Sequence, residues 1–547
     1  MTPLGDLRAA VRAAAVDLRG GNGASASPPP NLERARKPEF GDYSTNAAML
    51  LAPVLGEPPR VIAGRLGGVL AERLGDRLDH VEVAGPGFLN LFLSDAWYGD
   101  ALGDALRAGE DFGGGGALVP ERVLIEFVSA NPTGPLTAAG GRHAAYGDAL
   151  ARTLEFVGHG VEREYYVNDH GSQVDRLGES IRARARGQEP PEGGYEGDYV
   201  RALAAELPHA ADAGLDALAL AAVGRLVEQI RATLTRFGVE FDAWFSERSL
   251  HESEPSAVEA HYGVLEREGH IYRQDGAVWL RTSAFGDDKD RVLQRSSGEH
   301  TYFAADVAYH EDKRERGFDR LIDVWGADHH GYVARIRAAF AALGGDPAQL
   351  ELIIMQFVNV IERGERAAMS KRRGDFVTLD EVIDQIGVDA ARFFLLQRSH
   401  DTTVDLDLDL AREQSNENPV YYVQYAHARI ASIRTKAGEA RVVAALEAVA
   451  TDGGGPAPLD PAERTLINKL LAFPGVVDEA ADQRAPHKLA VYALALAQEF
   501  TAFYRDCRVI GAEPEAVESF RLALSVLAQR TLARTLDLLG VQAPSKM

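Results

Sequence analysis

Residues Arg122–Gly158 read "RVLIEFVSANPTGPLTAAGGRHAAYGDALARTLEFVG". The segment Arg122–Val128 is near-continuously apolar, the pattern of a strand buried on both faces in a parallel sheet. A loop with Asn131, Pro132, Gly134 and Pro135 follows, then small residues that let a helix begin. Tyr146, Leu150, Leu154 and Val157 recur at helical spacing, and Gly158 stands where a helix stops. "VEREYYVND", Val161–Asp169, reads as a second strand. Strand, loop, helix, strand is the opening unit of a doubly wound nucleotide-binding sheet, whose ligands sit at the C-terminal ends of the strands. A loop that handles a triphosphate ordinarily has a strong donor side chain at its centre. Here the centre is Thr137-Ala138-Ala139-Gly140.

The rest of the chain fits around this unit. Its 547 residues allow roughly three or four domains of ~150 residues. The first 112 residues read as an amphipathic helix, a flexible "GGNGASASPPPN" loop and a turn feeding a helix ("PEFGDYSTNAAMLLAPVL"). "HVEVAGPGFLNLFLS" then alternates like two strands paired about Pro86-Gly87. Gly113–Gly116 is a linker. Beyond Asp169 a polar loop and long helices interrupt the sheet up to about Phe241. "LIDVWGADHHGY" and "LELIIMQFVNV" resume it, and from "TLDEVIDQIGVDAARFFLLQ" onward the chain is almost entirely helical.

Composition narrows the class. One cysteine, Cys507, makes neither an internal disulfide nor a Cys-based zinc site and suits a reducing cytoplasm. The N-terminal run is broken by Arg8, Arg12 and Asp17, so no signal peptide is read, and no stretch approaches the ~18 apolar residues of a membrane span. The net charge of −23 opposes polyanion binding, but unevenly. From Ala411 onward there are 15 Lys/Arg and 16 Asp/Glu, so −22 falls on the first 410 residues. A local basic face in the C-terminal part can meet phosphate, since distant charge is screened. A solvated helical surface of mixed sign gives the same count.

A second stretch carries chemistry. In "RAAMSKRRGDFVTLDEVI", Ser370, Lys371, Arg372 and Arg373 lie between two turns. A flexible cationic loop suits a leaving pyrophosphate, because in phosphoryl and nucleotidyl transfer the protein supplies position and electrostatics. A plain basic surface loop would look similar. Taken with "EFVSANPTGPL" more than 200 residues earlier, the pair resembles the two signatures of class I aminoacyl-tRNA synthetases. "EFGDYSTNAAM", "VAGPGFLNLFL", "YYVNDHGSQ", "TYFAADVAYH", "WGADHHGY", "AMSKRRG", "NPVYYVQYAHARI" and "LLGVQAP" extend the resemblance over nearly the whole chain, and it is to the arginyl-tRNA synthetase family.

The resemblance implies an α/β fold of three parts: an N-terminal tRNA-binding α+β domain (1–112), a Rossmann-type catalytic domain (117–385) with a helical insertion at about 187–260, and a C-terminal all-α anticodon-binding bundle (386–547). It implies ATP with Mg2+, L-arginine and tRNA(Arg) as ligands, and a monomer in the cytoplasm with no membrane partner. Arginine needs carboxylates and polar acceptors in fixed geometry. The implied pocket is Glu126, Ser129, Asn131, Tyr302, Asp306 and a polar residue at or beside His330. Tyr302 and Asp306, four apart, share a face if helical. Taken singly, Asp306 also fits a helix cap and Tyr302 a core position. The implied ATP contacts are Pro135, Leu136, Thr137, Gly140, Gly141, Met369, Lys371 and Arg372, with Thr137, Ser370 and Lys371 catalytic. The implied tRNA contacts are Asp42, Tyr43, Asn46, Tyr421, Tyr422, Tyr425 and Met547, the later tyrosines as stacking faces.

The departure lies at the opening loop. The family's first signature is His-x-Gly-His, and here neither histidine is present. Thr137, the amides of a helix start and Arg142 or His143 are the donors that remain. Gly140 and Gly141 would let the backbone approach adenosine. Ala368 replaces the first Lys of the second signature, while Lys371 is retained. Two other classes fit parts of the pattern. One is a tRNA- or arginine-binding paralogue without catalysis. The other is a metal-dependent phosphoesterase using Asp328–His330 and Tyr309–Asp312.

Overall fold

The computed structural model describes residues 2–20, 29–35, 37–252, 254–367, 376–452, 455 and 458–547. Most of the "GGNGASASPPPN" loop and the whole of Ala368–Asp375, with Met369, Ser370, Lys371, Arg372 and Arg373, lie outside the described residues.

A five-stranded parallel sheet forms the centre. Its strands are β1 (Arg122–Glu126), β2 (Gly160–Val167), β3 (Ala243–Ser246), β4 (Arg320–Gly326) and β5 (Leu350–Met355). Their spatial order is β5-β4-β1-β2-β3, so the chain reverses direction between β1 and β4. Val123, Leu124 and Ile125 of β1 are all buried, as the unbroken apolar run requires. Helix α1 (Ala138–Val157) returns from β1 to β2 and ends at Gly158 in a left-handed conformation. The interval 187–260, read from sequence as an insertion, contains β3. This four-residue strand pairs with the end of β2, from Glu164↔Ala243 to Val167↔Ser246. A small antiparallel sheet (271–274, 277–280, 291–294) lies between β3 and β4. Helix α2 (Tyr302–Glu315) follows it and leads into β4.

The flanking parts are an N-terminal unit and a helical bundle. In the N-terminal unit four strands pair antiparallel in the order 32–34, 43–45, 88–93, 78–84, with helices Pro3–Arg19, Ala47–Leu55, Pro59–Leu74 and Asp95–Ala108. The hairpin falls at Pro86-Gly87 as the alternation implies; Gly87 has a φ of 140°, and a side chain there would strike Pro59. The C-terminal part is a bundle of helices from Pro419 to Leu538. It docks on the N-terminal unit through polar contacts: Arg464 with Asp95 at 2.6 Å, Asn468 with Tyr98 at 2.8 Å and Tyr43 with Asn468 at 3.2 Å. Among the described residues no helix is long and apolar enough to cross a membrane.

Candidate functional site at the sheet crevice

The reversal between β1 and β4 opens a crevice at the carboxyl ends of the strands, the place where such sheets bind ligands. A cavity of about 380 Å3 fills it. Glu126, Val128, Ser129 and Asn131 line it from the β1 side, Trp325, Gly326, His329 and Tyr332 from the β4 side, and Tyr302, Asp306, Tyr309 and His310 from α2.

Strand register explains the charges beneath the cavity. Asp323 of β4 lies opposite Glu126 of β1, and Glu126 lies opposite Glu164 of β2. Three carboxylates thus stand in a row across the sheet. Helix α2 answers them with one face. Lys313, fully buried, donates to Glu126 at 2.5 Å and to Asp323 at 2.7 Å. His310 meets Asp323 at 2.9 Å, the Tyr309 hydroxyl donates to Glu164 at 2.7 Å, and Arg316 just past the helix forks onto Glu164. Burial alone would lower the Lys313 pKa, but Asp323, Glu126 and Glu164 hold it raised. Burial likewise opposes ionisation of Asp323, and Lys313 with His310 overcomes it, bringing that carboxyl down to about 2. Glu126 is therefore a neutralised carboxylate, 6% exposed and already engaged.

Two other carboxylates are not neutralised. Asp306 and Glu247 face the cavity with no hydrogen bond or ion pair among the described residues. Burial pushes Asp306 up to about 6, with Glu126 adding to the shift while His310, His329 and Lys313 oppose it. Burial, with the charges of Asp306 and Asp169, pushes Glu247 up to about 8. The site is therefore suited to a cation with donors on more than one side. Asp306 lies inside α2 and caps nothing, and Tyr302 is 56% exposed, so neither of the bland sequence readings holds. Tyr302 comes within 3.1 Å of Ser172, and Asn131 donates to Gln173 at 2.9 Å. The polar residue after β4 that faces the cavity is His329, with Tyr332; His330 is exposed outside it. Glu247 has no sequence signature and was visible only once β3 was placed.

The β1 loop is strained. Val128 has a φ of 68° and Ser129 of 36°, left-handed values that are costly for a β-branched residue. Three bonds hold the turn. The Ser129 hydroxyl donates to Glu126 at 2.7 Å and accepts the Tyr166 amide at 3.1 Å, and Asn168 donates to the Ser129 carbonyl at 3.3 Å. Ser129 thus shapes the wall of the cavity.

The start of α1 has few free donors. Thr137 is the N-cap, its Oγ accepting the Gly140 amide at 3.4 Å, and it is 9% exposed. The Ala138 amide is bonded to Val377 and the Gly141 amide to the Thr137 carbonyl. Within this first turn that leaves the Ala139 amide and the Thr137 hydroxyl proton. Cβ atoms added at Gly140 and Gly141 would clash with Leu136 and Leu379, so packing of the loop already accounts for both glycines. Leu136 is buried and its carbonyl accepts the Leu379 amide, while Pro135 is half-buried in the same loop. Arg142, expected as a replacement donor, is 1% exposed and spends its guanidinium on the carbonyls of Gln356 and Ser399, both at 2.8 Å. His143 lines the cavity, but burial holds its pKa down to about 4, so the ring is neutral. The buried Nδ1 has no partner, and a neutral imidazole brings no positive charge to a phosphate.

Among the described residues, cavities also lie outside the crevice. Tyr421, Tyr422 and Tyr425 line one of about 840 Å3 in the bundle, with Arg429, Tyr504 and Arg505. Tyr421 and Tyr425 stack with centroids 6.2 Å apart, and Arg429 lies over the Tyr425 and Tyr504 rings. Another, about 550 Å3, lies in the N-terminal unit and includes Asn46, Phe88 and Asn90. Asp42 and Tyr43, expected at a tRNA surface, turn inward. Asp42 accepts from Tyr98 at 2.6 Å and from the Leu93 amide at 2.7 Å, and Tyr43 is 4% exposed. Met547 is exposed. Among the described residues neither Asp328–His330 nor Tyr309–Asp312 gathers three metal-ligating groups, which removes the basis of the phosphoesterase reading.

A crevice site of this kind at a Rossmann switch point, followed by an all-helical bundle, fits a class I aminoacyl-tRNA synthetase, and the family match shows that class. Residues 115–189 and 220–431 match the family described as "tRNA synthetases class I (R), catalytic domain", residues 5–93 "Arginyl tRNA synthetase N terminal domain" and residues 423–547 "DALR anticodon binding domain". A Campylobacter jejuni structure described as an arginyl-tRNA synthetase is 35% identical over 83% of this chain and 100% of its own, with a TM-score of 0.76. Thermus thermophilus arginyl-tRNA synthetase is 26% identical over 99% of each chain, with a TM-score of 0.77. The Plasmodium falciparum enzyme shares the fold at 17% identity and a TM-score of 0.75 over 100% of both chains. The chain belongs to the arginyl-tRNA synthetase family.

Proposed function

We propose that the crevice cavity holds arginine, its guanidinium between Asp306 and Glu247 and its α-amino end toward Ser129, Asn131 and Glu126. The reaction is arginine plus ATP to arginyl-adenylate and pyrophosphate, then transfer of the arginyl group to the 3′ end of tRNA(Arg). The observation that carries the pocket reading is the pair of cavity carboxylates, Asp306 half-buried and Glu247 buried, to which no side chain of the described residues is bonded. A fixed, delocalised cation with five donors satisfies two such groups at once, as a flexible ammonium does less well. Buried Lys313 keeps Glu126 and Asp323 from adding further uncompensated charge.

ATP enters with Mg2+ and lies over the start of α1, by Pro135, Leu136, Gly140 and Gly141. Its phosphates meet the Thr137 hydroxyl and the Ala139 amide. Lys371, with Ser370, Met369 and Arg372, closes on the leaving pyrophosphate, an assignment that rests on the family signature. Lys371 carries more of the charge stabilisation than in relatives with both histidines, since Arg142 is spent on backbone carbonyls and the neutral His143 ring brings no charge to the phosphates. The bundle cavity receives unstacked anticodon bases on Tyr421, Tyr422 and Tyr425, and the N-terminal cavity at Asn46 receives another part of the tRNA. The chain works as a monomer in the cytoplasm. A paralogue that only bound tRNA would have no use for a cation-selective pocket. Glu247→Gln tests the reading: a raised arginine KM with an unchanged ATP KM supports it, and an unchanged arginine KM overturns it.

A further inference from the structure

Beside the cavity, three side chains converge that the reaction does not need together. We propose that His170, Glu247 and His251 bind one divalent transition-metal ion, and that this ion and arginine exclude each other because both take the Glu247 carboxylate. The proposal rests on the arginine reading of the cavity.

The geometry is set by two strand ends. Glu247 follows β3 directly and His251 sits in the short helical turn Ser249–Glu252 just after it, and the two are brought to one side. His170 sits in the loop after β2. Asp169 clips that loop to the other, accepting the Ser246 hydroxyl at 2.5 Å and the Arg248 amide at 2.9 Å. The His170 and His251 rings stack face to face, centroids 4.0 Å apart and 12° from parallel, so their lone pairs run side by side and the His170 ring must turn for both to meet one ion. One ligand atom from each of the three residues lies within 4.8 Å of the other two.

Two further observations point to a ligand. The Glu247 side chain is 5% exposed and has no hydrogen bond. His251 Nε2 is buried with no partner. Unpaired buried groups of this kind are rare unless something binds them. Tetrahedral metal–nitrogen bonds of ~2.0–2.1 Å put ligand atoms about 3.3 Å apart. The remaining ~1.5 Å is within reach of His170, whose side chain is exposed and moves by rotamer change. Two imidazoles and one carboxylate suit zinc or cobalt, with one position left for water, and disfavour magnesium. The Mg2+ that accompanies ATP therefore does not fill the site. Only Glu247 of the three lines the arginine cavity. A dication on it removes one of the two charges that would hold the guanidinium.

The test is Co2+ titrated into the full chain, followed by its visible d–d absorption. The expected result is one equivalent bound, with the bands lost in His170→Gln and in His251→Gln and lost again on saturation with arginine. In the exchange assay, Co2+ at roughly ten times its Kd should raise the apparent arginine KM about tenfold in the wild type by mass action. Both histidine variants should keep the metal-free KM, and the ATP KM should not move. Absence of bands, bands that persist in both variants, or bands unmoved by arginine each overturn the proposal. Failure of the arginine reading itself registers separately, as an unchanged arginine KM in Asp306→Asn without any metal.

Discussion

Asp306→Asn is the perturbation whose size follows most directly from the pocket. The change keeps the side chain's shape and removes its charge. Breaking a buried ion pair by deleting one partner costs ~3–5 kcal/mol, and each ~1.4 kcal/mol is a factor of ten. Two features place Asp306 at the low end: its residue is only half-buried at the cavity wall, and Glu247 still faces the guanidinium. The expected rise in arginine KM is therefore about a hundredfold. The ATP KM should stay within about twofold, because uniform binding at another subsite is untouched. Steady-state pyrophosphate exchange with cognate tRNA reads both constants. A neutral isostere of arginine, citrulline, adds a second readout: the wild type should reject it and Asp306→Asn should discriminate far less. An arginine KM unchanged in the variant would place the cation site elsewhere and refute the electrostatic argument.

Arginine affinity should also depend on pH. Asp306 titrates near 6 among Glu126, His310, Lys313, His329 and Glu247, and the bound cation favours its ionised form. Glu247, raised to about 8, titrates first, so affinity should begin to fall below pH 8 and fall further as pH drops through 6; calorimetry should show the step near 6 vanish in Asp306→Asn, while the Glu247 step remains and moves down because the Asp306 charge no longer raises it. Lys313→Met leaves Glu126 and Asp323 buried without their shared cation, with only Ser129 and His310 still bonded to them, so stability should drop by ~3 kcal/mol; adding Asp323→Asn should restore part of it, and a silent single variant would contradict the network. Tyr425→Ala should weaken tRNA binding by ~1–3 kcal/mol with the salt slope unchanged, whereas Arg429→Ala should reduce that slope by about 1. Equal tRNA affinity for Tyr425→Ala and wild type would remove the stacking role.

The parts of the fold legible in the sequence are those with long local patterns. Val123–Ile125 announce a buried strand, and Tyr146, Leu150, Leu154 and Val157 announce its return helix, all of them buried as read. Strand β3 escaped because four half-buried residues inside a helix-rich tract carry no periodicity. Glu247 escaped with it. Asp306 and Tyr302 follow from the family resemblance and share a helix face as their spacing allows, and of the positions at or beside His330 it is His329, in a 3-10 turn, that lines the cavity. The resemblance implies Asp42 and Tyr43 as tRNA contacts, and their inward turn is not legible locally because their partners, Tyr98 and Asn468, lie 56 and 425 residues away in the chain. Arg142 illustrates the same limit: a cation beside a nucleotide loop suggests phosphate, and only the carbonyls of Gln356 and Ser399 reveal its structural role.

The central claim is that an arginine-selective class I site works here without either histidine of the first signature. The most direct measurement is ATP–pyrophosphate exchange by the full chain with cognate tRNA and Mg2+, run with arginine, lysine and citrulline in turn and repeated with Lys371→Ala. The account predicts exchange with arginine alone, and its loss in Lys371→Ala. Exchange that is absent in the wild type, independent of arginine, or undiminished by Lys371→Ala would contradict it.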